Sequence, residues 1–224
     1  MFVFILNNDT PVTTHQTLPA MMRLSTRLCL VGLLGLAFVL PGPEKELEIG
    51  AKAPLVDLKM RDVSGKMLSL KDVAGENGLL VIFSCNTCPW VAAWEDRYLI
   101  VAQKAKELGI GMIAVNPNEA YRDRGDGFED MQRRAKEKGY TFPYVLDEGS
   151  KLADAFGATR TPHVFLFNKD LVLVYRGAID DNARNPEAVK HHYLLDAMEA
   201  MVAGKPIPVA TTRSIGCTIK RVES

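Results

Sequence analysis

The chain has few of the residues that build metal sites, and it has no excess of either charge. Among 224 residues there are 4 cysteines and 4 histidines, and 27 Lys and Arg balance 27 Asp and Glu. A neutral chain gives no electrostatic reason to bind nucleic acid or an acidic membrane surface. The sequence also lacks long runs of one charge and internal repeats, which excludes a charged tail and a solenoid. An apolar content of 47 % is enough for one sizeable globular core.

Long apolar runs are scarce as well, and the most prominent lies near the start of the chain. Residues 28–40, LCLVGLLGLAFVL, follow Arg23 and Arg27 and end at Pro41-Gly42-Pro43. A basic stretch followed by an apolar run of this length is typical of a secretory signal and is short for a bilayer span. We therefore predict that residues 1–43 are a targeting segment and that the protein is exported to a periplasmic or other extracytoplasmic compartment. No small-x-small cleavage site follows the run, so an uncleaved membrane tether is the alternative.

The remaining boundaries follow from composition. Residues 1–20 are mixed and polar in the middle, and Met21 or Met22 would be a more usual start, which predicts an over-long gene start. Residues 44–52 have the composition of a charged linker. Residues 53–224 are then predicted to form the folded domain.

Two of the few cysteines form a motif that organises the domain. Residues 79–83, LLVIF, have the composition of a buried strand, and Cys85-Asn86-Thr87-Cys88 follows one residue later. Apolar residues then recur at helical spacing up to Leu108. A helix N-terminus stabilises a thiolate, and a sulfur three residues away can close a disulfide with it. The pattern predicts a redox pair in which Cys85, the more exposed sulfur, attacks and Cys88 resolves.

Other uses of two cysteines remain open at this point. A structural zinc site needs four ligands, and the other cysteines, Cys29 and Cys217, stand alone in the sequence. A structural local disulfide and an inert buried pair are further alternatives. We expect no bound metal and no cofactor. Cys217, flanked by apolar residues, is predicted to be a small buried residue, with a third redox thiol or an intermolecular disulfide as alternatives.

A second pattern lies in the C-terminal half. Thr161-Pro162 comes directly before a β-rich run, and proline is tolerated at the first position of a strand because it cannot donate to the ladder. A turn at Asn168-Asp170 predicts a hairpin with residues 171–177. Periodicity predicts the other elements: a hairpin of residues 53–60 and 67–70, strands 110–115 and 144–146, and helices 128–138, 150–156 and 186–203.

Together these motifs resemble the thioredoxin fold and, within it, the redoxin or peroxiredoxin-like branch of the alkyl-hydroperoxide-reductase superfamily. The resemblance covers about residues 49–221 and is carried by CNTCPWV, FPYVLDE, FGATRTPHVFLFN, YRGAIDDN and SIGCTIK. It implies an α/β thioredoxin-like fold, with a central mixed sheet flanked by helices and an N-terminal β-hairpin extension. It also implies a cis Thr161-Pro162 peptide beside the cysteines, where the backbone before the proline receives an extended substrate segment.

The sequence departs from the peroxidase motif of that superfamily. Peroxiredoxins carry P-x-x-x-T-x-x-C, but counting back from Cys85 gives Gly78 and Ile82 at the proline and threonine positions. Counting back from Cys88 gives Val81 and Cys85. Without a donor that orients the peroxide, a thiolate loses the positioning that makes peroxide reduction fast. We therefore predict a thiol–disulfide oxidoreductase acting on a protein thiol or disulfide, with a thiol-dependent peroxidase as the alternative.

Two other classes of function are alternatives to disulfide exchange. Some thioredoxin-fold proteins carry copper with two cysteines and a histidine, and His163 follows Pro162 closely enough to approach the sulfurs. Those carriers use C-x-x-x-C, one residue longer than the spacing here. A redox-inert interaction module is the third class. A membrane is expected as a partner only if the N-terminal segment stays uncleaved.

Overall fold

The computed structural model describes residues 45–222, in which strands and helices alternate along the chain. The helices are α1 (Leu70–Val73), α2 (Pro89–Glu107), α3 (Phe128–Lys138), α4 (Lys151–Ala155) and α5 (Tyr193–Val202). The strands are β1 (Met60–Asp62), β2 (Met67–Leu68), β3 (Gly78–Phe83), β4 (Ile110–Asn116), β5 (Tyr144–Leu146), β6 (Arg160–Thr161), β7 (His163–Asn168), β8 (Leu173–Gly177) and β9 (Cys217–Thr218).

The longer strands form a mixed sheet. One part has the order β2-β1-β5-β4 and the other the order β3-β7-β8, with β3 lying against β4. The pairing of β4 with β5 is parallel, whereas β1 with β2, β3 with β7 and β7 with β8 are antiparallel. The predicted mixed sheet with flanking helices and an N-terminal hairpin is confirmed. Strands β6 and β9 form a separate antiparallel pair at the end of the sheet.

Strand β3 divides the apolar core into two layers because successive side chains point to opposite faces. Leu80 and Ile82 pack with residues of α2 and α5. Leu79, Val81 and Phe83 pack with residues of α1 and α4. All six residues of β3 are buried, which is why the sequence shows a continuous apolar run rather than an alternation.

Two predicted elements begin later than periodicity indicates. Strand β1 begins at Met60 rather than at residue 53, because the preceding residues form a turn in which Leu55 has a φ of 50°. Helix α5 begins at Tyr193 rather than at residue 186. The backbone before it bonds elsewhere, since the His191 carbonyl accepts from the Asp181 N–H and the Lys190 N–H donates to the Asp181 side chain.

The charged stretch predicted as a linker is held against the domain where the structure describes it. The Leu47 N–H donates to the Phe156 carbonyl at 3.0 Å, and the Gly50 N–H donates to the Leu173 carbonyl at 2.8 Å. The predicted targeting segment and Cys29 lie outside the described residues. Between residues 45 and 222, no helix is both long and apolar enough to cross a membrane.

Candidate active site

The two cysteines of the motif lie in the loop that joins β3 to α2. Cys88 is the N-cap of α2, and Pro89 occupies the first helical position, where its missing N–H costs no hydrogen bond. The apolar run of β3 and this proline therefore fix where the loop begins and ends. Cys85 is 2 % exposed and Cys88 is 3 % exposed, and both are free thiols. The prediction that Cys85 is an exposed sulfur is wrong, because the loop turns its side chain into the core beneath β6.

Both sulfurs contact the peptide unit that precedes Pro162. The Cys85 sulfur lies 3.1 Å from the Thr161 hydroxyl, and the Cys88 thiol donates to the Thr161 carbonyl at 3.2 Å. The Thr161-Pro162 peptide is cis, as the resemblance implies. The structure thus brings together all four residues that the sequence predicted as the centre of the site.

The two thiols have opposite electrostatic environments. The Cys85 thiol donates toward the Cys88 sulfur, and with smaller contributions from Cys217 and the Val91 N–H this lowers the pKa of Cys88 to about 5. The same contact, burial and the negative charge of Asp126 raise the pKa of Cys85 well above its usual range. The pair therefore shares one proton at neutral pH, with one sulfur held as a thiolate by a hydrogen bond from the other.

Cys217 is the third sulfur of the site. Strand β9 pairs with β6, so that Cys217 lies opposite Thr161. Its thiol and its backbone N–H both lie within reach of the Cys88 sulfur, and its own sulfur faces the Trp90 N–H in the first turn of α2. Cys217 is half-buried. The sequence prediction of a small buried residue is therefore only partly right.

A buried carboxylate that the sequence analysis missed fixes the loop between the cysteines. Asp126 is fully buried and accepts from the Asn86 N–H at 2.6 Å and from the Thr87 hydroxyl at 2.7 Å. The side-chain amides of Asn116 and Asn118 donate to the same carboxylate at 3.0 and 2.9 Å. Four donors converge on this carboxylate, so Asp126 sets the position of the two residues that separate the sulfurs.

His163 does not approach the sulfurs, contrary to the expectation raised for a copper carrier. Its ring lies 4.4 Å from the ring of Phe165, on the α1 and α4 side of the sheet, and its Nε2 is 2.7 Å from Glu46. The cysteines pack on the opposite side. Within residues 45–222, no group of three or more His, Cys, Asp or Glu residues could hold a metal ion.

A buried dithiol at the start of a helix, beside a cis proline at the end of a mixed sheet, defines a redox protein of the thioredoxin-like class. The sequence profile of the Redoxin family matches residues 48–191. The chain belongs to the Redoxin family.

Named relatives and solved structures are consistent with this membership. The thiol-disulfide oxidoreductase ResA of Halalkalibacterium halodurans is 27 % identical over 128 residues, which is 56 % of this chain and 68 % of that protein. An uncharacterised conserved protein from Geobacillus kaustophilus has 34 % identity and a TM-score of 0.73, covering 79 % of this chain and 94 % of its own. The thioredoxin domain of a thiol-disulfide oxidoreductase from Bacteroides vulgatus, 21 % identical with a TM-score of 0.54 over 70 % of this chain and 99 % of its own, shares the fold.

Proposed function

We propose that this chain is a thiol–disulfide oxidoreductase, an enzyme that exchanges disulfides with a protein partner through Cys85 and Cys88. The observation that carries the proposal is the asymmetry of the pair. One sulfur is a thiolate at neutral pH, and a protonated second sulfur lies within hydrogen-bonding reach of it. Thiol–disulfide exchange needs these two parts, because the thiolate is the nucleophile and a second thiol must release the mixed disulfide.

The steps follow from these environments. The sequence predicts that Cys85 attacks and Cys88 resolves, but we assign the attack to Cys88 because its pKa is the one that is lowered. The Cys88 thiolate attacks one sulfur of the partner disulfide, a bond forms between them, and the other partner sulfur leaves as a thiolate. The negative charge on Cys88 is then gone, and with it the largest cause that holds the proton on Cys85. Cys85 gives its proton to the first partner thiolate, attacks the Cys88 sulfur, and releases the second partner sulfur as a thiolate. The chain ends with a Cys85–Cys88 disulfide, and two electrons have passed to the partner. The reverse sequence oxidises a partner dithiol.

Thr161 and Pro162 are proposed to hold the geometry of this exchange. The Thr161 hydroxyl and carbonyl contact one sulfur each, so the peptide before the proline fixes the separation of the pair. Thr161 is fully buried and therefore contacts the sulfurs rather than solvent. The resemblance implies that a partner segment adds a strand at this edge, a mode of recognition in which backbone hydrogen bonds supply affinity. In this chain β9 is already paired with β6 there, so a partner segment could add a strand only if β9 moved away.

A thiol-dependent peroxidase, with an antioxidant role, has less support. The hydroxyl that contacts a sulfur of the site is that of Thr161, and it contacts Cys85 rather than Cys88. The threonine position counted back from Cys88 is Cys85, which offers a thiol in place of a hydroxyl donor. A peroxide that approached the Cys88 thiolate would therefore find no hydroxyl donor to orient it.

The test is a comparison of two activities on the purified full-length chain. We expect reduction of insulin disulfides in the presence of dithiothreitol, and no consumption of hydrogen peroxide above the rate of free thiol. The Cys88→Ser variant should lose disulfide exchange, whereas Cys85→Ser in a Cys217→Ser background, which has no second thiol beside Cys88, should accumulate mixed disulfides at Cys88. Rapid peroxide consumption that depends on Cys88 would contradict the proposal, as would full insulin reduction by Cys88→Ser.

We also propose that residues 1–43 direct export and that residues 53–224 form the exported redox domain, either free or tethered by an uncleaved segment. The basic residues and the apolar run that follows them support this assignment. N-terminal sequencing of the protein from fractionated cells tests it. A chain that begins at Met1 or Met21 and stays in the cytosol would contradict export.

A further inference from the structure

The edge of β6 at which a partner segment would pair is occupied by the chain itself. Arg160 lies opposite Thr218, and Thr161 lies opposite Cys217, so β9 adds to β6 as an external strand would. The backbone just before β9 approaches the Thr161-Pro162 peptide closely. A Cβ on Gly216 would overlap the Thr161 carbonyl group and lie 3.1 Å from the Pro162 nitrogen. Strand β9 therefore lies directly over the peptide that holds the two sulfurs.

The three sulfurs form a series from the core to the surface. The Cys85 sulfur contacts the Thr161 hydroxyl, the Cys88 sulfur contacts the Thr161 carbonyl, and Cys217 lies opposite Thr161 and packs against the cluster that holds both cysteines. Cys85 and Cys88 are almost fully buried, whereas Cys217 is partly exposed. An external thiol therefore meets Cys217 before it meets either cysteine of the motif.

We propose that Cys217 is a third redox thiol, which forms a disulfide with Cys88 and so carries the disulfide of the buried pair to the surface. This inference rests on the proposed function, because it needs a Cys85–Cys88 disulfide to carry. Strand β9 takes the place of a partner strand, and Cys217 takes the place of the partner's cysteine.

Transfer of the disulfide to Cys217 conserves atoms and electrons within the chain. The Cys217 thiolate attacks the Cys88 sulfur of the Cys85–Cys88 disulfide, the bond between Cys88 and Cys217 forms, and the bond between Cys85 and Cys88 breaks. Cys85 leaves as a thiolate and takes up the proton that Cys217 gave to solvent. The number of disulfides is unchanged, so no external oxidant is consumed. A partner thiolate then attacks the exposed Cys217 sulfur, and Cys88 leaves.

The acidities of the sulfurs favour the second transfer, in which Cys88 leaves, because exchange is faster when the leaving thiol has a low pKa and the pKa of Cys88 is lowered to about 5. In the first transfer Cys85 leaves, and the contact with the Cys88 sulfur that contributes most to its raised pKa is absent because Cys88 is then in a disulfide, so burial and Asp126 alone still raise that pKa. Burial and the neighbouring Cys88 raise the pKa of Cys217 to about 11. The contribution from Cys88 disappears when Cys88 is in a disulfide, so Cys217 becomes more acidic at the stage at which it must attack.

The surroundings of Cys217 leave room for a partner. A groove beside β9 is lined by Trp90, Arg160 and residues 213–216, and it ends at the residue before Cys217. Arg160 is fixed there by donating to the Gly216 carbonyl at 3.0 Å. Two arginines give the groove positive charge, which suits a partner thiol flanked by acidic residues.

The test traps disulfides in full-length chains that carry Cys29→Ser, so that only the three cysteines of the site remain. Each variant is oxidised with oxidised dithiothreitol, blocked with N-ethylmaleimide, and mapped by peptide mass spectrometry. Cys85→Ser and Cys85→Ala should both form an intramolecular Cys88–Cys217 disulfide. The matched control is Cys88→Ser, in which Cys85 and Cys217 should stay unbridged because the sulfur between them is gone.

We call the transfer of the disulfide from Cys85–Cys88 to Cys88–Cys217 the relay. The outcomes distinguish a failure of the relay from a failure of the proposed function on which it rests. If the parent chain forms no disulfide between Cys88 and either Cys85 or Cys217, the proposed function fails and the relay fails with it. If the parent chain forms a Cys85–Cys88 disulfide but both folded Cys85 variants keep Cys88 and Cys217 as blocked thiols, the relay alone is overturned. Circular dichroism establishes the folding of each variant.

A kinetic readout complements the trapping. In Cys217→Ser the Cys85–Cys88 disulfide should still form, but its reduction by a protein dithiol should slow several-fold while reduction by dithiothreitol changes little. Equal rates with the protein dithiol for Cys217→Ser and the parent chain would overturn the relay.

Discussion

At the scale of single residues, the account depends on the difference between two sulfurs three positions apart. Cys88 is the N-cap of α2, where backbone N–H groups of the first turn are free to stabilise negative charge. Cys85 lies deeper and faces the carboxylate of Asp126. The hydrogen bond between the two sulfurs contributes most to the difference in their acidity, and the helix terminus and the buried carboxylate add to it, so the protein holds one thiolate and one thiol rather than two equal groups.

The first prediction concerns the acidity of Cys88. Donation from the Cys85 thiol is the largest cause of its low pKa, so Cys85→Ala should move the pKa of Cys88 upward from about 5. In the parent chain, alkylation of Cys88 by iodoacetamide should therefore rise through about pH 5 and level off, and in Cys85→Ala the rise should come at higher pH. Site-resolved mass spectrometry across a pH series measures both profiles. Superimposable profiles would contradict the proposed contact.

The second prediction concerns Asp126, a positioning residue. Its negative charge raises the pKa of Cys85, so Asp126→Asn should lower that pKa. In a Cys88→Ser background, the alkylation profile of Cys85 should move to lower pH. An amide cannot accept from all four donors, so the free energy of unfolding should fall by about 1–3 kcal/mol. The matched control is Asp123→Asn, in the same loop, whose side chain is 83 % exposed and should change neither quantity. An unshifted Cys85 profile in Asp126→Asn would argue against this role.

At the scale of elements, the contact between β9 and β6 joins segments of the site that are far apart in the sequence. Gly216 has no Cβ to collide with Thr161, and this permits the two strands to meet beside Pro162. Gly216→Ala should force β9 away from β6, at a cost of about 1–3 kcal/mol in the free energy of unfolding. Alkylation of Cys88 should become faster because its cover has moved. The matched control is Ile215→Ala, whose side chain is 40 % exposed, and it should leave the rate of Cys88 alkylation unchanged. A Gly216→Ala chain with the parent rate would show that β9 does not cover the thiols.

The elements that periodicity determines were predictable from the sequence, and those that depend on distant contacts were not. Strand β3, helix α2 and helix α3 follow from the spacing of apolar residues, and they lie where the sequence predicts them. Strand β9 has two residues, too few to show an alternation, and its partner is distant in the sequence. Asp126 lies in a polar loop without a periodic pattern, so nothing local distinguishes it from its exposed neighbours.

At the scale of the whole molecule, the site is assembled from separate segments that meet at one peptide unit. The loop after β3 brings the motif, β6 brings Thr161 and Pro162, and β9 brings Cys217. The sheet ends here, and the long helix α2 begins here, so the sulfurs lie where backbone groups are free of both the sheet and the helix. In the proposed function, this position would let the buried pair exchange disulfides while the core around it stays closed.

The central claim is that Cys85 and Cys88 form a reversible redox couple. A redox titration of the full-length chain against dithiothreitol, with thiol trapping and mass read-out, tests it most directly. The account predicts that both cysteines become protected together, and that the ratio of oxidised to reduced chain changes tenfold for every ~30 mV, as a two-electron couple requires. Thiols at both positions across the whole range, or oxidation found only in disulfides between chains, would contradict it.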